Sequence, residues 1–156
     1  MNKTNIKTIN FDMDGTIANL YGVENWLDYL LNANPLPYIQ AKTMVNMSLL
    51  ARYIHKLQAN GIKVNIISWL SKNSTEDYNV IVTNAKLEWL KNHLPSVNFD
   101  NIYIIPYGTP KHDLLPNDES NILFDDEINN LSNWVLNNRG YGVFPDSIFQ
   151  VMRELV

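Results

Sequence analysis

The stretch Ile6-Lys7-Thr8-Ile9-Asn10-Phe11-Asp12-Met13-Asp14-Gly15-Thr16 decides how the rest of the chain is read. Ile6 to Phe11 is an apolar, strand-like run, and the acids begin where it ends. In an extended chain, residues two apart point the same way, so Asp12 and Asp14 can face one small volume when the strand geometry persists past Phe11. Gly15 then lets the backbone turn sharply. Two carboxylates held that close repel unless a cation neutralises them or one carries a proton, and both arrangements are chemically useful. The plain alternative is a pair of capping or loop aspartates. A calcium loop fits poorly, because an EF-hand places its glycine sixth among alternating acids and Gly15 directly follows Asp14.

Further strand-like segments, short and rich in β-branched or aromatic residues, recur at Ile62 to Ile67, Ile102 to Ile105, Ile122 to Phe124 and Tyr141 to Phe144. Between them lie helical patterns. Thr43 to Asn60 carries Met44, Met47, Leu50, Ala51, Ile54 and Leu57 at three-and-four spacing and stops at Asn60-Gly61. Ser74-Thr75-Glu76-Asp77 supplies capping hydroxyls and early acids. Val80, Ile81, Ala85, Leu87, Trp89 and Leu90 then predict a second helix ending before Pro95. Ile128, Leu131, Trp134 and Val135 predict a third, closed by Arg139-Gly140, and Asp146 to Leu155 a fourth.

Alternating strands and helices predict an α/β fold: a three-layer, Rossmann-like parallel sheet of about five strands with helices on both faces. Ligands of such sheets bind beyond the carboxyl ends of the strands. Asp12, Asp14, Ser68, Asp125 and Asp126 all fall at those ends. Residues 17–42 hold more than a connection needs and predict a small cap inserted in one domain spanning residues 1–156.

The 156 residues suffice for one core burying about 68–70% of the unfolded surface. A hydrophobic content of 46% and a charged content of 18% fit a globular chain, and the formal charge of −4 argues against general attraction to nucleic acid. With no cysteine, disulfides, thiolate metal sites and cysteine nucleophiles are excluded. Lys3 and Lys7 resemble the start of a signal peptide, but Asn10, Asp12 and Asp14 interrupt the apolar segment, and no run approaches the roughly 20 apolar residues of a membrane span. A cytoplasmic location is the expectation. Asparagine is abundant but scattered, and reads as compositional bias.

A hydrophobic strand followed by Asp12-Met13-Asp14-Gly15-Thr16 resembles the first motif of the haloacid dehalogenase superfamily of phosphohydrolases. That family continues with a Ser or Thr ending a second strand, then a Lys, then an acidic pair ending a fourth strand. Ser68, Lys111 and Asp125-Asp126 stand in that order here. The resemblance implies a magnesium-dependent phosphatase in which Asp12 attacks phosphorus to form an aspartyl-phosphate and Asp14 is general acid and base. It implies Ser68 and Lys111 as phosphate ligands, the latter as a point cation. By the same resemblance Asp126 binds Mg2+ with the Asp12 carboxylate and the Asp14 backbone carbonyl, while Asp125 supports it from close by; Asn130, four residues after Asp126, lies over the same helical face, where it can orient Lys111 or Asp126. The competing readings are ordinary ones: a strand-end serine, a solvated lysine, and acids favouring a helix N-terminus. Trp69 can stack on a base or sugar, or simply pack. His55 and His93 carry no metal-site pattern, His112 beside Lys111 reads as a surface histidine with substrate contact as the alternative, and Tyr21, Trp26, Tyr29 and Tyr38 read mainly as packing for the inserted segment.

Within the superfamily the acidic pair and short insertion look most like the 5'(3')-deoxyribonucleotidase branch, with a reduced cap. A small phosphorylated substrate, foremost a nucleotide, is therefore expected, with a sugar phosphate or a polynucleotide 3'-phosphate as alternatives. A phospho-acceptor receiver domain uses similar groups, but its acidic pair opens the chain and its acceptor Asp comes later. An inactive binding domain would lack one of the site residues, and none is missing.

Overall fold

The computed structural model describes residues 5–118 and 120–156. Lys3, the first residue of the signal-like pattern, lies outside the described residues. Strands β1 (Thr8–Phe11), β4 (Lys63–Trp69), β5 (Asn101–Ile105), β6 (Asn121–Phe124) and β7 (Tyr141–Val143) form one parallel sheet in the order β5-β4-β1-β6-β7. The connections run outward from β1 to β4 and from β6 to β7, so the strand order reverses between β1 and β6. A crevice opens at such a switch point, beyond the carboxyl ends of the two strands. The register pairs Phe11 with both Ile66 and Phe124, which brings Asp12, the end of β4 and Asp125 to the same edge.

Alternation along each strand divides the core. Ile9, Phe11, Val64, Ile66, Ile122 and Phe124 face one side, where Leu50, Ile54 and Leu57 of α3 (Met47–Ala59), Trp89 and Leu90 of α4 (Glu76–His93), and Ile148 and Met152 of α6 (Ile148–Leu155) cover them. Each such fully buried chain contributes about 1.5–3 kcal/mol. Ile67 and Leu123 face the other side, against Leu131 of α5 (Ile128–Asn133) and Trp134 in the following π-helical turn, Trp134–Asn138. The rings of Phe11 and Phe124 stack at 5.0 Å, directly below Asp12 and Asp125.

The asparagines have a structural purpose that composition conceals. On the face opposite Phe11, Asn101 donates to Asn65, Asn65 to Asn10, and Asn10 to the Ile122 carbonyl, an amide chain across four strands with bonds of 2.9–3.1 Å. Buried amides of this kind must be paired, and these satisfy one another. Asn121 and Asn138 do the same at the base of β6: Asn121 donates to Asn138, and both reach the Pro116 carbonyl.

Several elements begin later than periodicity predicts. The helix expected from Thr43 starts at Met47, because Lys42–Thr43 is a short strand, β3, paired antiparallel with Ala18–Asn19, β2, and Asn46 caps the Leu49 amide. The last helix starts at Ile148, after a turn over Pro145–Ser147. The third is shorter as an α-helix and closes at Arg139, whose φ is 63°. Between β2 and β3 lie two short helices, α1 (Trp26–Leu31) and α2 (Leu36–Gln40), the latter packed on α4. Among the described residues no helix is long and apolar enough to cross a membrane.

Candidate active site

The acidic residues meet at the carboxyl edge of the sheet. The Asp12 amide still donates to the Phe124 carbonyl at 2.9 Å, so the sheet itself fixes this residue beside the end of β6. Oxygens of Asp12, Asp125 and Asp126 lie within 4.8 Å of one another. Gly15 has φ +84°, and a side chain there would run into the Asp126 carboxylate. The turn that follows the first two acids therefore both permits the backbone geometry and leaves room for the fourth.

Lys111, opening a 3-10 turn over Lys111–Leu114, places its ammonium 2.7 Å from Asp12 Oδ1 and 2.7 Å from Asp125 Oδ2. It is 3% exposed. Burial opposes its charge, but Asp12 and Asp125 outweigh that and hold its pKa up at about 12. Two of its three hydrogens are engaged, leaving one for a further acceptor. Asp125 is fully occupied: besides Lys111, it accepts from the Glu127 amide and from the Asn130 side chain. It holds the site together from behind. Thr16 donates to Asp12 Oδ2 at 3.1 Å.

Asp14 is not part of that oxygen cluster, and its carboxylate is held by Lys86 of α4, with Nζ 2.6 Å from Oδ2. The backbone carbonyl remains the group through which Asp14 can serve a cation, as the resemblance implies. Burial raises the Asp14 pKa, partly offset by Lys86 and reinforced by Asp12. Burial, then the charges of Asp12 and Asp125, push the Asp126 carboxyl up to about 7. A cluster of oxygen donors that resists losing its protons is the donor set a hard divalent cation takes and neutralises, so the residues fit Mg2+.

Lys86 is the residue that sequence reasoning missed. A signal was available: Tyr78, Val82, Lys86 and Leu90 repeat every four residues and are all buried, so this lysine stands on the inward stripe of α4. Val80, Ile81 and Leu87, expected on that face, are exposed. Ser68 stands at the strand end where the sequence put it, with a partner the sequence did not announce. It sits at the end of β4, fully buried, with its hydroxyl held by Lys86 at 2.7 Å, and it is absent from the residues lining the neighbouring cavity.

That cavity, of about 470 Å³, has Asp12, Asp14, Lys111 and Asp126 at its floor and largely apolar, aromatic walls. Trp69 forms one wall, its indole donating to the Thr109 carbonyl, its ring 5.0 Å from Tyr107 and 5.3 Å from the Lys111 ammonium. The inserted segment supplies Tyr21, Trp26 and Tyr38 to other walls, Tyr21 and Trp26 meeting edge to face. Tyr38 packs as well, its hydroxyl 2.6 Å from Ser71. Tyr29 is not among the lining residues. The histidines lie elsewhere: His55 bonds the Ser96 carbonyl, His93 packs on Trp89, and His112 neighbours Asp113.

No family model and no curated protein matches the chain. Solved structures do. A D,D-heptose 1,7-bisphosphate phosphatase from Burkholderia thailandensis aligns with a TM-score of 0.52 over 85% of this chain and 74% of its own, at 13% identity. A protein from Corynebacterium glutamicum described as uncharacterized aligns with a TM-score of 0.50 over 97% and 93%, at 15% identity. At such identities the likeness establishes the fold alone, a Rossmann-like parallel sheet of five strands layered between helices.

Proposed function

We propose that the protein is a magnesium-dependent phosphatase that hydrolyses a phosphate monoester through an aspartyl-phosphate on Asp12, acting on a nucleotide. One observation carries the reading: Asp12 is held between the Lys111 ammonium and the Asp125-Asp126 pair, at the floor of a cavity that also receives Asp14. The fold shared with a protein named as a phosphatase supports the reaction class.

Asp12 supplies the attacking oxygen, oriented by Lys111 and Thr16. The remaining hydrogen of Lys111 is available to a phosphoryl oxygen. Asp126, with Asp12, would hold Mg2+, whose charge offsets the repulsion between the carboxylates and a dianionic phosphate. Asp14, which burial biases toward its protonated form, gives its proton to the departing alkoxide. Once ionised, it removes a proton from the water that cleaves the aspartyl-phosphate. The aromatic walls favour a flat, stackable group on the ester, which is why a nucleotide is preferred to a sugar phosphate. In this reading residues 17–42 act as a small cap whose α1 and α2 close one side of the cavity.

The test is phosphate release, with and without magnesium, from nucleoside monophosphates, sugar phosphates and 3'-phosphorylated oligonucleotides, with Asp12→Asn as the blank. Magnesium-dependent release favouring nucleotides is expected. Turnover that survives Asp12→Asn would remove the nucleophile assignment, and a preference for sugar phosphates would move the substrate.

A further inference from the structure

Burying a lysine on the apolar stripe of a helix is costly, and an uncharged residue would pack there without that cost. What Lys86 reaches explains the expense. At 1% exposure its ammonium lies 2.6 Å from Asp14 Oδ2, 2.7 Å from Ser68 Oγ and 2.7 Å from the Trp69 carbonyl. Three acceptors use all three hydrogens of an ammonium, so Lys86 has none left for a substrate, in contrast to Lys111. Two of those acceptors belong to β4, an interior strand paired on both sides, and anchor the cation to the sheet. The third is the carboxylate that faces the cavity.

Resting on the phosphatase reading, we propose that Lys86 is a positioning residue for the acid–base carboxyl, with Ser68 as its anchor: the pair fixes Asp14 where it meets the leaving-group oxygen. In the step served, the Asp12 oxygen forms a bond to phosphorus, the bond from phosphorus to the ester oxygen breaks, and the Asp14 proton passes to that oxygen. A carboxyl freed from Lys86 rotates about its own side chain and meets the oxygen less often. Ser68 in this arrangement acts from behind Asp14, through Lys86, and does not touch the phosphate.

The distinguishing readout is dependence on the leaving group. An alkoxide leaves only with a proton, whereas a dinitrophenolate leaves without one. With magnesium present, Lys86→Met should lower kcat for a nucleoside monophosphate by about 10²-fold with KM little changed, the scale of a general-acid contribution. Its single-turnover release of dinitrophenolate from dinitrophenyl phosphate, which isolates the first step, should fall by less than about 3-fold on the same basis. Ser68→Ala keeps the cation and loosens its anchor, and should show the same selective loss at about 5–10-fold. Equal losses on both substrates in the folded variants, or none on either, overturn the proposal. Should Lys86→Met fail to give a cooperative melt, Ser68→Ala decides alone by the same criterion. Failure of the underlying reading looks different: the unsubstituted protein would release no phosphate beyond the Asp12→Asn blank from either substrate.

Discussion

Gly15 and Asp126 share one space: the hydrogen of the glycine faces the carboxylate so closely that any side chain at position 15 would overlap it. Residues 111 positions apart in the chain are thereby fitted to each other, the first acidic turn being shaped to admit the last acid. Gly15→Ala therefore carries two penalties. A non-glycine residue at φ +84° costs on the order of 1–3 kcal/mol, and the carboxylate must move as well. The expected result is a lower melting temperature together with a loss of magnesium affinity, measured by calorimetric titration. Unchanged magnesium binding in the folded variant would show that Asp126 has no part in holding the ion.

The acidic cluster ties stability to pH. Asp126 titrates at about 7 in the folded protein and near 3.8 when unperturbed, because of burial and the neighbouring charges of Asp12 and Asp125. Between those values the folded state holds more protons than the unfolded state, so stability falls as pH rises through the window. Burial raises Asp14 and Asp125 in the same direction. Metal-free protein is thus expected to melt at a progressively lower temperature from pH 5 toward pH 7, with the decline flattening above it. Magnesium reverses the trend, since it binds the ionised carboxylates, and its stabilising effect should be larger at pH 8 than at pH 5.5. Melting curves in chelator and in magnesium at the two pH values decide the matter, and a magnesium effect independent of pH would contradict it.

Lys111 is the counter-charge that makes Asp12 and Asp125 tolerable next to each other. Removing one partner of a buried pair leaves the other uncompensated, at about 3–5 kcal/mol. Lys111→Met should lose that much in denaturant unfolding without metal. Adding Asp125→Asn should recover part of it, because one stranded charge is neutralised while the remaining amide oxygen can still accept from the Glu127 amide. A double variant no more stable than the single one would mean that Lys111 contributes by packing alone.

The acids were legible in the sequence because an apolar run that ends in carboxylates reads as a strand end, and parallel strands bring their ends together; Asn130 follows from its spacing after Asp126, whereas Lys111 was singled out only by the resemblance to the superfamily's motif order. Lys86 and the buried asparagines were not, since their meaning lies in partners far along the chain. Asn10, Asn65 and Asn101 look like arbitrary polar residues until the sheet order sets them side by side. Lys86 was passed over because apolar residues occur all around α4, so periodicity alone chose Val80 and Leu87 for the core in place of Tyr78 and Val82. The start of α3 was misplaced for a related reason: Thr43 is claimed by a pairing with Ala18, a long-range contact that no local pattern announces. Ser68 was found in its expected place at the strand end, and only its packing against Lys86 changed the task assigned to it.

Substrate choice rests on the aromatic walls, and Trp26 offers the cleanest probe of them. It belongs to α1 in the inserted segment, lines the cavity against Tyr21, and has no hydrogen bond or ion pair with Asp12, Asp14 or Lys111. Stacking of a base on an aromatic ring is worth about 1–3 kcal/mol, roughly 5- to 150-fold in binding. Trp26→Ala should therefore raise KM for a nucleoside monophosphate within that range, with kcat largely retained, because Trp26 holds none of the groups that carry out nucleophilic attack and proton transfer. Hydrolysis of a short alkyl phosphate, which has nothing to stack, should be indifferent to the change. Steady-state kinetics on the two substrates separate the cases: a KM shift confined to the nucleotide fits a base held by the inserted segment, whereas equal behaviour on both would place the base elsewhere or show that the natural ester has none.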